Sequence, residues 1–441
     1  MSRMLYDVRD LPKKWYEWIL YPIQMLLAVF VATILISQIC GTPIAAGLLG
    51  GALGTLVYQI ITKFKSPIFI SNSGATVSAV IGALALGATP NYFAVFVGGL
   101  VVLLIYGIFA LVVKLCGIKV INKIFPSIVV GPVTMVIGLN LAGFIPTYVT
   151  PSAITLAASP DHALMATTLI AVATMFVIAV SSHYFKGFLK TIPFLIGLVF
   201  GYGMSALVTV CGLPIIDFSI FNSVTSFFSV PDFAFLYWGD GIAAFDWTTF
   251  GNVILLFAPV SICALLEHYS DHKVMSNIIG HDLTEDPGLH RTLLADGVAS
   301  ALGTAVCGLP NTSYGESTAT VGFSKVASVW MVSIAAALLG LLAFIAPVQV
   351  FIQSIPSCVF GGCAMILYGY IACSGLKTII NNKADLEDNK NLIIVSVILT
   401  VGVSGIFLFT QSFAGTSLAM VLGVILNLIL RNRKVKTEKK N

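Results

Sequence analysis

Fourteen apolar runs separated by short polar connections leave this chain few architectures. They fall near 17–39, 43–62, 67–87, 92–116, 126–146, 163–182, 191–211, 251–271, 290–308, 311–324, 327–349, 355–376, 391–410 and 413–430. About 20 apolar residues cross the hydrocarbon core as a helix. At that depth every backbone N–H and C=O must be satisfied inside the protein, which admits only helices and closed barrels. Runs of this length select helices. Charged residues are 10% of the chain and hydrophobic residues 58%, against roughly 25% charged in a soluble domain, so no soluble domain of useful size fits beside the spans. The first run is too long for the apolar part of a cleavable signal and is followed by no small-residue cleavage site.

The basic residues set the orientation. With the N-terminus in the cytoplasm, all 23 Lys and Arg fall on cytoplasmic connections, as expected where positive charge stays inside. They are Arg3, Arg9, Lys13 and Lys14, then Lys63 and Lys65, Lys114, Lys119 and Lys123, Lys186 and Lys190, Lys273 and Arg291, Lys325, Lys377, Lys383 and Lys390, and a tail from Arg431 to Lys440. The outer connection 212–250 carries Asp217, Asp232, Asp240 and Asp246 with many aromatics, which suits an interfacial segment. A miscounted span would scatter this pattern. The net charge of +4 therefore reports membrane orientation and not a nucleic-acid partner, and the tail reads as a charge cluster at the anionic leaflet. The expected organisation is a cytoplasmic segment 1–16, seven spans over 17–211, the outer connection 212–250, seven spans over 251–430 and a basic cytoplasmic tail 431–441.

Two runs are broken. Ser66-Pro67-Ile68-Phe69-Ile70-Ser71-Asn72-Ser73-Gly74-Ala75-Thr76-Val77 and Gly308-Leu309-Pro310-Asn311-Thr312-Ser313-Tyr314-Gly315-Glu316-Ser317-Thr318-Ala319-Thr320-Val321 each read as Pro, a short extended piece, Gly and a small-residue helix start. They are the third and tenth runs, matching positions if seven spans are followed by seven, and an odd number per half makes the halves inverted repeats. Interrupted segments in matching halves point to a transporter binding site. Residues 310–315 should be extended, with a helix beginning near Glu316. The two extended pieces could pair, and the helix starts after them would aim N–H groups at one point.

Apart from Glu17 at the boundary of the first run, four carboxylates of nineteen lie inside apolar runs: Glu267, Asp271, Asp296 and Glu316. Ionised groups at mid-membrane cost at least ~2.5 kcal/mol each on insertion scales, so they mark function or a specific partner. Glu267 and Asp271, four apart, share a helical face. Glu267, Glu316 and Asp271 are the candidate proton carriers; Asp296, near Arg291, reads as a structural hydrogen-bonding group. His268 and His272 lack a third ligand in register for a metal. Tyr269, Tyr314 and Tyr368 could stack on a planar ligand or be core aromatics. The eight cysteines show no CxxC spacing and read as small buried hydrophobes. No activated nucleophile, phosphate loop or cofactor motif is present, so neither enzyme nor cofactor is expected.

Glu267-His268 with Asp286-Pro287-Gly288-Leu289-His290-Arg291, then Pro310 to Glu316, Leu367-Tyr368-Gly369, Ser374-Gly375 and Asn391-Leu392-Ile393 resemble the uracil permease branch of the nucleobase-ascorbate (uracil-xanthine permease) transporters. The resemblance runs the length of the chain. It implies an all-α polytopic membrane protein of the cytoplasmic membrane with both termini inside and fourteen spans in two inverted seven-span repeats. Short antiparallel strands stand in spans 3 and 10, a core domain works against a gate domain, uracil enters by proton symport, and the protein forms a homodimer. Carried over by position, Glu267 and Glu316 are the ligand carboxylates, and Gly315 and Gly74 offer backbone amides. Tyr314 and Tyr368 lie near the base, with Ser73 and Ser317 flanking it. Relatives often have Gln-His at Gln24-Met25, Phe at Gly74, Asn at Ser317 and, in some, His at Asp271. The roomier site at Gly74 keeps a xanthine or purine permease as an alternative. An anion transporter or channel on the same architecture would want a basic residue at the half-helix junctions, and both lack one.

Overall fold

The computed structural model describes residues 4–117, 126–408 and 410–430. Arg3, Lys119, Lys123 and the basic tail from Arg431 lie outside the described residues, so the charge pattern there is a matter of sequence alone.

Helices α1 (Glu17–Cys40) and α2 (Ile44–Ile61) come first, followed by strand β1 (Ile70–Asn72) and the short α3 (Val77–Leu84). Then come α4 (Tyr92–Cys116), α5 (Ser127–Ala142), the short α6 (Ile145–Val149) and α7 (Ala153–Ala158), α8 (Pro160–Tyr184) and α9 (Pro193–Val210). After the outer connection with its short α10 (Trp238–Ala243) follow α11 (Trp247–Ile279), α12 (Leu289–Cys307), strand β2 (Asn311–Ser313) and α13 (Gly315–Ser324). The last are α14 (Val329–Leu342), α15 (Ala346–Ser354), α16 (Ser357–Asn381), α17 (Asn389–Ser404), the hairpin β3 (Phe407–Leu408) and β4 (Thr410–Ala414), and α18 (Thr416–Ile429). Among the described residues, eight helices are long and apolar enough to cross a membrane, and α14, α17 and α18 are shorter apolar helices. The chain is a multi-pass helical membrane protein.

Every apolar run contains a helix, but several are cut short. The run 391–410 stops at Ser404 because Gly405 takes a left-handed conformation (φ 71°), a common helix stop. The chain then turns into the hairpin, which the apolar count had absorbed into two spans. Of the eight cysteines, Cys40, Cys263, Cys307, Cys358 and Cys363 are buried, whereas Cys116, Cys211 and Cys373 are exposed.

The two broken runs meet. Strands β1 and β2 pair antiparallel, Ile70 opposite Ser313, Ser71 opposite Thr312 and Asn72 opposite Asn311. Beyond the strands, Ser73 N donates to Pro310 O at 2.8 Å and Tyr314 N to Phe69 O at 3.0 Å. Surrounding helices supply what a two-stranded sheet at membrane depth would otherwise lack. Thr55 Oγ1 of α2 bonds both the N–H and the carbonyl of Ile70, and Ser300 of α12 donates to Asn311 O at 2.7 Å. The Asn311 amide reaches Gly50 O of α2 and Ala299 O of α12 (3.1 and 3.0 Å), while that of Asn72 reaches Thr33 O and Ser37 Oγ of α1 (3.2 and 3.1 Å). Glycines in α2 make this approach possible: a Cβ on Gly51 would collide with Ser71, and one on Gly54 with Asn311, the small-residue contact favoured between membrane helices.

Around this centre α2 packs on α12 and α14, and α4 on α12 and α11. A second group joins α5 to α16, α17 and α18, and α8 to α9 and α16.

Candidate functional site

The cavity of about 490 Å³ that opens beside the strand pair is lined from both groups of helices. Helix α11 contributes Glu267 and Asp271. The end of β2 and the start of α13 contribute Ser313, Tyr314, Gly315 and Glu316, and the first broken run contributes Gly74. Opposite stand Ala28, Ala32 and Ile36 of α1, Pro193 and Phe194 at the start of α9, and Leu367, Tyr370 and Ile371 of α16. Lys190, Thr191, Ser374 and Lys377 also line it, so apolar walls carry convergent polar groups, the usual make-up of a small-molecule site.

Local sequence explains these positions. Tyr314 alone separates β2 from α13, so the helix begins at Gly315, one residue before Glu316. The unshared N–H groups and positive end of a helix dipole therefore open on the cavity. Gly315 leaves the approach clear: the nearest atom to a Cβ there would be Asp271 Oδ1 at 3.9 Å. On α11, Glu267 and Asp271 are one turn apart and face the cavity together. Asp271 accepts from Ser313 Oγ at 2.7 Å, which ties α11 to β2.

His268 and His272, on the same helix, have other partners. His268 Nδ1 lies 2.7 Å from Asp296 Oδ2 of α12, both side chains fully buried. His272 Nε2 lies 2.7 Å from the hydroxyl of Tyr58 on α2, and the two imidazoles stack with centroids 4.0 Å apart. Asp296 is thus a structural partner of His268 and not of its sequence neighbour Arg291. The histidines tie one face of α11 to Tyr58 of α2 and Asp296 of α12, while Glu267 and Asp271 line the cavity. Among the described residues the ion pairs are Lys65–Asp286, Lys273–Asp282, His268–Asp296 and His281–Asp286. None includes Glu267, Asp271 or Glu316, so no cation among the described residues stands at ion-pair distance from these carboxylates.

Of the residues singled out from sequence, Glu267, Asp271, Tyr314, Gly315, Glu316 and Gly74 line one cavity, and Ser73, Ser317 and Tyr368 do not. Ser317 Oγ donates to Tyr314 O at 2.7 Å and accepts from Phe69 N at 3.2 Å, so it locks the strand–helix corner. Ser73 extends the strand pairing through its backbone. The Tyr314 hydroxyl donates to Asn72 O at 2.9 Å, across the strand pair. Tyr368 is buried in α16, whereas Tyr370, two positions along and on another face, lines the cavity. Ser313, Phe194 and Tyr370 were missed. Ser313 could have been suspected as the residue before Tyr314 on a strand, but nothing in the sequence marks the other two.

The family model described as Permease family, that of the xanthine/uracil permeases, matches residues 16–411. Uracil permease of Bacillus subtilis (strain 168) is 35% identical over 438 residues, covering 97% of this chain and 95% of that protein. Uracil permease of Escherichia coli (strain K12) is 33% identical over 413 residues, 93% of this chain and 90% of that one. The chain belongs to the xanthine/uracil permease family. Among solved structures, the transmembrane domain of the cyanobacterial bicarbonate transporter BicA superposes with a TM-score of 0.59 at 15% identity, covering 96% of this chain and 98% of that one. SLC26A9 superposes with a TM-score of 0.65 at 12% identity, covering 94% and 65%. At such identities the permease shares with them a fold and nothing more specific.

Proposed function

We propose that this permease imports a nucleobase, uracil, by proton symport through alternating access, with Glu267 and Glu316 binding the base. The observation that carries the reading is the meeting of two unpaired carboxylates and a helix N-terminus at one apolar-walled cavity. Uracil presents two N–H donors and two carbonyl acceptors. Carboxylates accept the former, and the amides at Gly315 and Gly74 donate to the latter. A site built to satisfy such groups rejects analogues that leave them unpaired. Protons neutralise the carboxylates during the cycle, since Lys190 and Lys377 line the same cavity but no Lys or Arg among the described residues pairs with Glu267, Asp271 or Glu316, and Asp271 is the third carrier. The anion-transporter alternative is disfavoured because no basic residue stands at either half-helix junction.

In this reading the fourteen runs are fourteen spans in two inverted seven-span repeats, both termini are cytoplasmic, and two copies associate. Packing supports the repeat: α2 packs on α14 as α12 packs on α4, and α8 on α9 as α17 on α18. Helices α1–α4 and α11–α14 form the core that carries the substrate, and the others form the gate.

The test is a panel of nucleobases titrated onto the purified protein, with labelled uptake into vesicles. Uracil should bind and be displaced by none of the purines, and uptake should stop when the pH gradient is collapsed. Displacement by xanthine would move the assignment to a purine permease, and uptake that follows sodium instead would overturn the coupling.

A further inference from the structure

The polar residues ahead of α1 do more than trail into the cytoplasm. Leu5 N and Tyr6 N both donate to Lys325 O (2.8 and 3.3 Å), the residue that ends α13. The pairing continues outward: Ala327 N donates to Tyr6 O and Val329 N to Val8 O, each at 2.9 Å, in a parallel bridge of Tyr6 with Val326. Ser328 Oγ donates to Asp10 O at 2.6 Å. Arg9 Nη2 donates to Lys63 O at 3.2 Å, just past the end of α2, which holds β1. Residues 5–10 are therefore a strap that joins the exit of the second broken run to the entry of the first.

The strap has its own anchor. Tyr6 is 5% exposed and packs with Val326 and Met331 in a small apolar cluster apart from the main core. Its hydroxyl donates to Glu17 Oε2 at 2.6 Å, a charge-assisted bond of the stronger kind.

We infer that this strap is a positioning element for the site: by holding the cytoplasmic end of α13 it fixes where Gly315 and Glu316 stand. The inference rests on the site assigned above. Helix α13 has ten residues, about 15 Å of helix, too short to be stable by itself. Its place is set by what holds its ends. One end follows β2, which is paired to β1, and the other ends at Lys325 in a left-handed conformation (φ 59°). The strap occupies that residue's carbonyl and the next four positions. A comparable clasp grips the far end of α14, where Ser229 N donates to Phe344 O and Ala346 N to Phe227 O, each at 3.0 Å. The segments ahead of α1 and ahead of α11 thus hold opposite ends of one helix.

Leu5→Pro isolates the effect, because it removes one N–H from a residue that is 56% exposed; Leu5→Ala keeps that N–H and is the control. Tyr6→Ala removes the anchor, and Tyr6→Phe removes only its hydroxyl. In the full-length purified protein, Leu5→Pro and Tyr6→Ala should speed hydrogen exchange in residues 315–325 while leaving α12 unchanged. They should weaken uracil binding by roughly 3- to 30-fold, the range for residues that act without touching ligand. Tyr6→Phe should fall between these and the parent, and Leu5→Ala should match the parent. Parental exchange and affinity in both Leu5→Pro and Tyr6→Ala would overturn the inference, and so would faster exchange spread equally over α12. If one of those two variants does not fold, the other and Tyr6→Phe decide by the same comparison. If the parent binds no nucleobase, the proposed function fails, and the exchange pattern still decides the strap.

Discussion

The two broken runs share a plan and differ in content. Each has a three-residue strand and a short helix, and the strands pair as equals. The first run, however, passes through four residues, 73–76, before α3 begins at Val77, and it carries no charge from Ser66 to Leu84. The second needs only Tyr314 before α13 begins, and Glu316 stands in that helix's first turn. Only Gly74 of the first run reaches the cavity, whereas Ser313 to Glu316 line it continuously. The difference separates tasks. The first run completes the backbone pairing that makes an extended segment tolerable at membrane depth, and the second, so supported, presents the chemistry.

That division predicts unequal costs. Glu316→Gln and Glu267→Gln each remove a charged acceptor and should weaken uracil binding by about 10- to 100-fold, the worth of a hydrogen bond to a charged group. Equilibrium binding on purified protein measures this; near-parental affinity for Glu316→Gln would break the contrast at its strongest point. Next comes Asn311→Ala. The Asn311 amide nitrogen joins α2 to α12, whereas that of Asn72 stays within α1 and the Asn72 oxygen accepts only a long thiol bond from Cys307 of α12 at 3.9 Å. Losing Asn311 should therefore cost about 1–2 kcal/mol and lower the thermal unfolding midpoint more than Asn72→Ala does. The reverse order would mean that β1 and not β2 is the better held strand.

Much of this was legible in the residues. Pro and Gly punctuate both broken runs, so an extended piece could be read in each and the start of α13 to within one position. Glu267 and Asp271 shared a face by spacing. The same spacing served His268 and His272 equally well, and only the partners Asp296 and Tyr58, distant in sequence, settle which pair faces the cavity. Tyr368 and Tyr370 are likewise separated by helix rotation, which sequence does not fix. The hairpin after Ser404 was hidden because Phe407 and Leu408 continue one apolar run and Phe413 and Ala414 open the next, so its polar residues Thr410 to Ser412 read as a connection between spans. Residues 5–10 read only as part of a cytoplasmic segment because their bonds to Lys325, Ala327 and Val329 are made by backbone, which leaves no mark in side-chain pattern.

A smaller effect sharpens the role of the β2 corner. Ser313 donates to Asp271, and removing that donor with Ser313→Ala should weaken binding by about 2- to 10-fold, the worth of a single net hydrogen bond. If Asp271 is a proton carrier, the same variant should also displace the pH profile of uptake. Weakened binding with an unmoved profile would leave Asp271 as a tether between α11 and β2 only.

The smallest effect is expected at Gly74. A Cβ there would meet Ile371 Cδ1 at 3.5 Å and Ile36 Cδ1 at 3.8 Å, ordinary contacts, and Gly74 is not among the glycines with positive φ. Gly74→Ala should therefore fold normally and change affinity by less than about threefold, as for substitutions that create neither clash nor cavity. Gly315→Ala places its methyl 3.9 Å from Asp271 Oδ1, at the helix start between two carboxylates, and should cost more. Side-by-side binding isotherms decide it. Equal losses would mean that the first run contributes its amide to the ligand as fully as the second, and the two halves would then share the chemistry as well as the strand pair.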